Sequence, residues 1–406
     1  MKPTLVFKTH LFPTASETFV VSNVVAAITM GYDVKIIADR INPIQEGSQA
    51  ALLEKHEVMR FVATITPPQH KLKRLFKAFQ YVLHPMLLYY FIKYCATVSK
   101  VSLSYLFILK FYSNYRNTDV FHIHFATNAT DISILKRIGY LRAKVLVTFH
   151  GFDAHYNNDL EKEAVINRYK PWYSVWDKVT VNTLFLKQQV LSLGYPETGI
   201  SVVPMAIDLE FYSPIIYPKT INNRETYRLI SVGRLVPVKG HQYGIEAVKK
   251  LVDNGYDIKY TILGYGFLHE ALASQIKALN LEQHVFLYGQ ATQEEIKQEL
   301  EQAHLFLMTS IKDATGREET QGVVTAEAQA MGLPVVGFNS GGIPHTVTDK
   351  TSILVAQKNS DALAKAVSTL LEDKEMYYTM SLEAKIWAHA TFGLPKMIAR
   401  YYQDLI

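Results

Sequence analysis

Eleven short apolar runs, rich in Val, Ile, Leu and Phe, recur along this 406-residue chain with amphipathic stretches between them. The first half carries TLVFKTH (4–10), DVKIIAD (33–39), VFHIHFA (120–126), KVLVTFH (144–150), KVTVNT (178–183) and ISVVPM (200–205). The second carries YRLISVGR (227–234), YTILGYG (260–266), HVFLYG (284–289), HLFLMTS (304–310) and LPVVGF (333–338). Strands that are apolar on both faces, with helices between them, predict parallel sheets covered on both sides. The chain is longer than one hydrophobic core usually holds. The Pro-containing stretch AIDLEFYSPIIYPKT (206–220) breaks the alternation. The expectation is therefore an α/β protein of two Rossmann-like, doubly wound domains joined near residue 210.

In open parallel sheets ligands bind outside the carboxyl ends of the strands. His10, His124, His150 and Asn182 fall at such ends in the first half. Gly233-Arg234, Gly264-Tyr265-Gly266, Gly289 and the loop Ser340-Gly341-Gly342 do so in the second. Polar and glycine-rich chemistry at the same edge of both sheets leads us to expect two edges facing each other across a cleft.

The segment ISVGRLVPVKGHQYGIEAV (230–248) reads as a strand, a glycine turn with Arg234, and Lys239 directly before a helix. Gly233 permits close backbone approach, Arg234 can fork onto phosphate oxygens, Lys239 adds a point charge, and the helix start offers unpaired N–H groups. Together they suit a diphosphate; the bland alternative is two solvated cations at a strand end. No Walker loop occurs, and GYG at 264–266 lacks the third glycine of a dinucleotide fingerprint, leaving a tight strand-to-helix turn.

Glu319 and Glu327, eight residues apart, flank the entry of a helix after the strand at 304–310. Carboxylates do not bind phosphate; they accept hydrogen bonds from hydroxyls. One glutamate on a ribose and the other on a sugar hydroxyl, on either side of a diphosphate, describes a nucleotide-sugar.

A single cysteine, Cys95, excludes an internal disulfide and a cysteine-clustered metal site, and reads as inert core. The start, MKPTLVFKTH, has too short an apolar run for a signal peptide, and no window reaches the ~18–20 uninterrupted apolar residues of a spanning helix. Charge is uneven: between Glu57 and Asp119 there is no acidic residue, whereas basic residues run from Arg60 to Arg116. Region 60–116 is either a solvated helical face or a surface that lies on an anionic membrane. No nucleic-acid recognition motif accompanies it. His150, after a buried strand and followed by Gly151 with Asp153 in reach, is either a satisfied core residue or a ligand contact. His122 and His124 share a strand face with no third metal ligand apparent.

GRLVPVKG (233–240), the Glu319-to-Glu327 segment followed by AQAMGLPVV, and SGGIPHTV (340–347) resemble a retaining glycosyltransferase of family 4 with the GT-B architecture. FPTASETFV (12–20), FHIHFA (121–126) and TFHGFDAH (148–155) resemble its bacterial exopolysaccharide branch, the colanic-acid and capsule type. The resemblance covers nearly the whole chain. It implies an acceptor-side domain over 1–208, a nucleotide-sugar domain over 209–390, and a last helix in 391–406 that packs back on the first domain. It further implies that Arg234 and Lys239 neutralise the diphosphate, Glu327 holds the ribose and Glu319 meets the donor sugar. Gly341-Gly342 would approach sugar or phosphate, His150 would touch the sugar, and Ser16-Glu17 would open the first helix near donor or acceptor. Gly322 is kept, but Glu-Thr-Gln-Gly stands where the family usually has Glu-Gly-Phe-Gly, GGIPH where it has GGIPE, and Met205-Ala206 where it has Asn-Gly.

The transfer builds negative charge on the leaving phosphate, which two cations and helix N–H groups can meet without a metal. No Asp-x-Asp pair occurs, so no cofactor or metal is expected. The reading is an enzyme that extends a lipid-linked glycan at the inner face of the plasma membrane, with no nucleic-acid partner. A nucleotide-sugar epimerase of similar architecture and a non-catalytic glycan- or membrane-binding protein are the alternatives.

Overall fold

A computed structural model describes residues 2–14, 17–47, 49–222 and 226–406. It divides into two compact units. The first comprises Met1–Val181, Gln188–Val203 and Ile398–Ile406; the second comprises Asn182–Lys187 and Pro204–Met397.

The first unit is built on seven strands: β1 (Thr4–Phe12), β2 (Asp33–Ile41), β3 (Val62–Ala63), β4 (Val120–His124), β5 (Lys144–Thr148), β6 (Lys178–Val181) and β7 (Ile200–Val202). All neighbouring pairs are parallel, in the order β3-β2-β1-β4-β5-β6-β7. Every residue of β4 and β6 is buried, as near-continuous apolar strands require when helices cover both faces. The helix Thr18–Thr29 shows tertiary context overriding propensity: it carries four valines, yet all of Val20–Ala27 is buried and the helix forms. The first strand is longer than the sequence suggests. It runs to Phe12 and pairs Leu11 with Arg40, so His10 lies inside it rather than at its end.

Between β3 and β4 stand three helices, Lys71–Val82, Pro85–Val98 and Ser104–Tyr112. Tyr94 anchors the second by stacking on Tyr105 at 4.4 Å and donating to Asp131 Oδ1 at 2.9 Å. Among the described residues no helix is long and apolar enough to cross a membrane.

The second unit has six strands: β8 (Tyr227–Val232), β9 (Ile258–Leu263), β10 (Val285–Gly289), β11 (Leu305–Met308), β12 (Val335–Phe338) and β13 (Ser352–Val355). They are parallel in the order β10-β9-β8-β11-β12-β13. Its core sets Leu229, Ile262, Leu307 and Val336 of the sheet against Ile245 and Val248 of the helix His241–Asp253. The stretch 206–220 is turn-rich; Asp208 Oδ1 accepts from the backbone N–H groups of Glu210 and Phe211 at 3.1 and 3.0 Å. The last helix, Leu394–Tyr402, starts among residues of the second unit and ends among those of the first. In the first unit the Tyr402 hydroxyl and His122 Nδ1 lie 3.0 Å apart, and Lys178 Nζ donates to the Arg400 and Gln403 carbonyls at 2.8 and 3.0 Å.

Candidate functional site

In the second unit the strand order places β8 beside β11, with β9 and β10 continuing one way and β12 and β13 the other. Such a reversal opens a crevice at the carboxyl ends of the two central strands. Lys239 follows β8 and Glu319 follows β11, so both chain segments leave the sheet at this point.

Gly240, at φ +60°, ends the short turn Pro237–Lys239 and starts the helix His241–Asp253. A Cβ there would lie 2.2 Å from the Thr309 carbonyl oxygen. Thr309 Oγ1 in turn donates to the Lys239 carbonyl at 2.8 Å, and Ile311 N donates to Val238 O at 2.9 Å. The lysine-bearing turn is thereby fastened to the end of β11. The Lys239 side chain runs over Gly233, where a Cβ would stand 3.3 Å from its methylenes. Its ammonium donates to Glu319 Oε2, and both side chains are mostly buried.

Glu319 is held from the other side by the glycine pair. Gly342 N donates to its carbonyl at 2.7 Å, and Gly341 N donates to Glu318 Oε1 at 3.1 Å. A Cβ on Gly342 would meet the Thr320 carbonyl oxygen at 1.8 Å, and one on Gly341 the Glu319 carbonyl oxygen at 2.3 Å. Gly322, at φ +73°, caps the helix Val323–Ala330, and its missing side chain leaves room for Met308 and the Glu319 stem. Residues 182–187 belong to this unit as well, and Thr183 Oγ1 donates to Thr320 O at 2.7 Å.

Lys239, Glu319, Gly233, Gly322, Gly341 and Gly342 are thus brought together. Arg234 is exposed on the same turn, its side chain free of hydrogen bonds and ion pairs among the described residues. Glu327 is set apart. It lies one turn into its helix, 8% exposed, where burial pushes its carboxyl up to about 7 and the neighbouring Tyr212 hydroxyl opposes this more weakly. That hydroxyl is itself buried and completes no regular hydrogen bond.

Two residues that sequence reading left unassigned complete the frame. Glu318 clamps the glycine loop. Gln321, fully buried, exchanges two hydrogen bonds with the Met205 backbone, accepting from its N–H at 2.8 Å and donating to its carbonyl at 3.0 Å. Gln321 is one of the departures from the family pattern, and its side chain is committed to the backbone. The GYG loop also gains a physical reason. A Cβ on Gly264 would lie 2.0 Å from the Gly233 carbonyl oxygen, and one on Gly266 2.4 Å from that of Leu235, so both glycines allow this loop to rest on the Arg234 turn.

The first unit has its own reversal, at β1 and β4. A cavity of about 530 Å³ opens there, lined by Lys8, His10, Glu17, Asp39, Asn128 and Asp131 among others. Lys8 is 4% exposed and paired with Asp39; burial raises the carboxyls of Glu17 and Asp131. A lone lysine inside an apolar strand was the signal that could have marked this site. Glu17 precedes the helix Thr18–Thr29, and its N–H donates to Thr14 Oγ1 at 3.1 Å; Ser16 lies outside the described residues.

His150 is buried, its Nε2 3.0 Å from His124 Nδ1 and its ring 4.4 Å from that of Phe19. Burial, then the His124 neighbour, drives its pKa well down, so the imidazole is neutral. Asp153 touches the His150 backbone rather than its ring, accepting from the N–H groups of Ala126, His150 and Gly151 at 2.8, 3.0 and 3.0 Å. His122 uses both ring nitrogens, toward the Tyr402 hydroxyl and Thr148 Oγ1, as a structural residue would. Among the described residues no group of three or more His, Cys, Asp or Glu could hold a metal ion.

Residues 215–387 match the family described as glycosyl transferases group 1, and residues 16–211 match Glycosyltransferase Family 4. The putative colanic acid biosynthesis glycosyltransferase WcaL of Escherichia coli is 30% identical over 88% of this chain and 88% of its own. The chain belongs to glycosyltransferase family 4. The amylovoran biosynthesis glycosyltransferase AmsK of Erwinia amylovora is 29% identical over 96% of both chains. Two solved structures share the fold: a glycosyltransferase from Rickettsia africae (TM-score 0.72, 18% identity, 100% of this chain and 98% of that one) and Anabaena Alr3699/HepE in complex with UDP (TM-score 0.72, 17% identity, 100% and 99%). The two parallel-sheet units are those of the GT-B architecture, and the family-4 protein is a sugar-transferring enzyme.

Proposed function

We propose that the second unit holds a nucleoside-diphosphate sugar and that the enzyme passes the sugar, with retention of anomeric configuration, to a lipid-linked glycan in cell-surface polysaccharide synthesis. The Lys239–Glu319 pair at the β8/β11 reversal carries this reading. A diphosphate entering there offers Lys239 a second anion, and the exposed Arg234 fork adds bidentate contacts. Negative charge growing on the leaving phosphate is met by placed cations and by the N–H groups at the start of the helix His241–Asp253, with no metal required by this set. Glu319, relieved of full pairing, accepts hydrogen bonds from donor-sugar hydroxyls and faces the positive charge growing at the anomeric carbon. Glu327 accepts from ribose hydroxyls, and Gly341-Gly342 leave room for backbone approach. The sugar is delivered to the face the nucleotide leaves.

Residues 1–208 would serve the acceptor, with Glu17 and the β1/β4 cavity near it, while His150 would touch the donor sugar; residues 209–390 would hold the donor, the last helix (391–406) tying onto the first domain. The names of WcaL and AmsK place those relatives in colanic acid and amylovoran synthesis, and Alr3699/HepE was crystallised with UDP, which supports an exopolysaccharide acceptor and a nucleotide-linked donor here. Work on a lipid-linked acceptor puts the enzyme at the cytoplasmic face of the plasma membrane. The test is a panel of nucleotide-sugars, read by thermal stabilisation of the protein and by transfer to lipid-linked acceptor. A donor that stabilises the wild type and loses its effect in Lys239→Met supports the reading; stabilisation independent of Lys239 removes the phosphate site proposed here.

A further inference from the structure

The helix Lys71–Val82 reads KLKRLFKAFQYV. At the helical repeat, Leu72, Leu75, Phe76, Phe79 and the following Leu83 fall within an arc of roughly 100°. A helix of a globular protein turns such a stripe inward. Here the stripe faces solvent: all five side chains are between 57% and 72% exposed. The helix is held to its unit by a different, smaller face, on which Ala78, Tyr81 and Val82 pack with Leu106, Phe107 and Phe91. It therefore has one apolar face in use and a larger one uncovered.

Charge surrounds the uncovered face. Lys73 and Lys77 border the stripe on one side and Lys71 on the other, all exposed. From residue 58 to 118 the chain carries nine Lys or Arg and no Asp or Glu. The next helix adds Leu88, Tyr89 and Ile92 as exposed apolar residues at helical spacing.

We infer that the helix Lys71–Val82 is a membrane anchor that lies in the interface of an anionic lipid bilayer, its Leu/Phe stripe among the acyl chains and its lysines at the phosphate level. A nucleic acid would use the cations and leave five large apolar side chains wet. A second copy docking stripe to stripe would bring two lysine rims together with no carboxylate between 58 and 118 to offset them. A bilayer satisfies both halves of the pattern: the interface takes up an apolar face, and an anionic leaflet attracts the basic border. The inference rests on the reading that the acceptor is lipid-linked, and gives that acceptor's surface a fixed place to meet the protein.

The test uses the full chain and vesicles of phosphatidylcholine with or without phosphatidylglycerol, read by co-sedimentation. Wild type is expected to pellet with the anionic vesicles, to release on raising salt, and to stay in solution with neutral ones. Phe76→Ser/Phe79→Ser and, separately, Lys73→Glu/Lys77→Glu each lower binding about tenfold or more while leaving the melting temperature and donor-induced stabilisation unchanged. Donor stabilisation is measured without vesicles, so failure of the donor-site reading is told apart from failure of the anchor. Equal binding to neutral vesicles, or none to anionic ones, overturns the inference. So does a wild type that dimerises and becomes monomeric in the Phe76→Ser/Phe79→Ser variant, which would make a second copy the occupant.

Discussion

The Lys239 ammonium donates to Glu319 Oε2 across the junction of β8 and β11, tying two segments eighty residues apart in the chain. In the proposed donor site this pair sets the cation assigned to the diphosphate beside the carboxylate assigned to sugar hydroxyls. Each keeps the other from being an unpaired, largely buried charge.

Glu319→Gln and Lys239→Met should each lower the transfer rate about 10²–10³-fold, the usual loss on removing one placed electrostatic group. Each single variant should also melt lower, because it leaves its partner uncompensated. The double variant should regain most of the melting temperature and none of the rate. Initial rates with thermal melts decide it, and full activity in either single variant would take that residue out of the site.

Gly342→Ala should act on Glu319 without touching its chemistry. A Cβ at 1.8 Å from the Thr320 carbonyl oxygen must displace the segment carrying Glu319. We expect a loss of about 1–3 kcal/mol in unfolding free energy with a marked drop in transfer rate. Gly233→Ala is the contrast. Its Cβ would press only on the flexible Lys239 stem, so stability should change less while activity still falls. Urea unfolding beside kinetics separates the two effects.

Much of this arrangement was written in local sequence. All eleven apolar runs became strands, because burial on both faces leaves a continuous Val/Ile/Leu pattern. The strands left unread were Val62–Ala63, only two residues long, and Ser352–Val355, which is only partly buried. The glycines at 233, 322, 341 and 342 and the lysine at 239 were legible because strand-end chemistry is local. The Lys239–Glu319 pairing was not, since it depends on β8 and β11 becoming neighbours. The same holds for Gln321, whose partner is a backbone 116 residues away, and for the cavity at Lys8 and Asp39, assembled from β1 and β2. His10 was misplaced because β1 extends two residues beyond it, to Phe12.

The histidine stack of the first unit makes its stability sensitive to acid. Burial holds His122, His124 and His150 below the ordinary imidazole range, His124 at about 3. Unfolded, each takes up a proton near pH 6.5, so the unfolded state binds more protons below that pH. Stability should be fully present above pH 6.5 and fall as the solution is acidified, by about 2 kcal/mol for His124 alone between pH 6.5 and 5. Tyr402→Phe removes the hydroxyl 3.0 Å from His122 Nδ1 and should cost a further ~1–2 kcal/mol. Melting curves from pH 5 to 7.5 are the measurement, and a flat profile would contradict the neutral stack.

Glu327 should give a pH dependence of the opposite sign. Its carboxyl, raised to about 7 chiefly by burial, stays protonated in the folded donor-free protein where the unfolded chain has already ionised. Between roughly pH 4.5 and 7 the folded state holds the extra proton, so this group's contribution to stability declines as pH rises through that window, by roughly 2–3 kcal/mol in all. Glu327→Gln cannot ionise and should remove that decline, becoming the more stable form above pH 7. Ribose hydroxyls, which donate, prefer the carboxylate. Donor binding should therefore strengthen from pH 6 to 8 with release of a proton, visible in calorimetry as a buffer-dependent heat, and both effects should vanish in Glu327→Gln. Binding that is equally tight at pH 6 and 8, with no proton released, would mean that Glu327 supports the helix Val323–Ala330 and leaves the ribose to other groups.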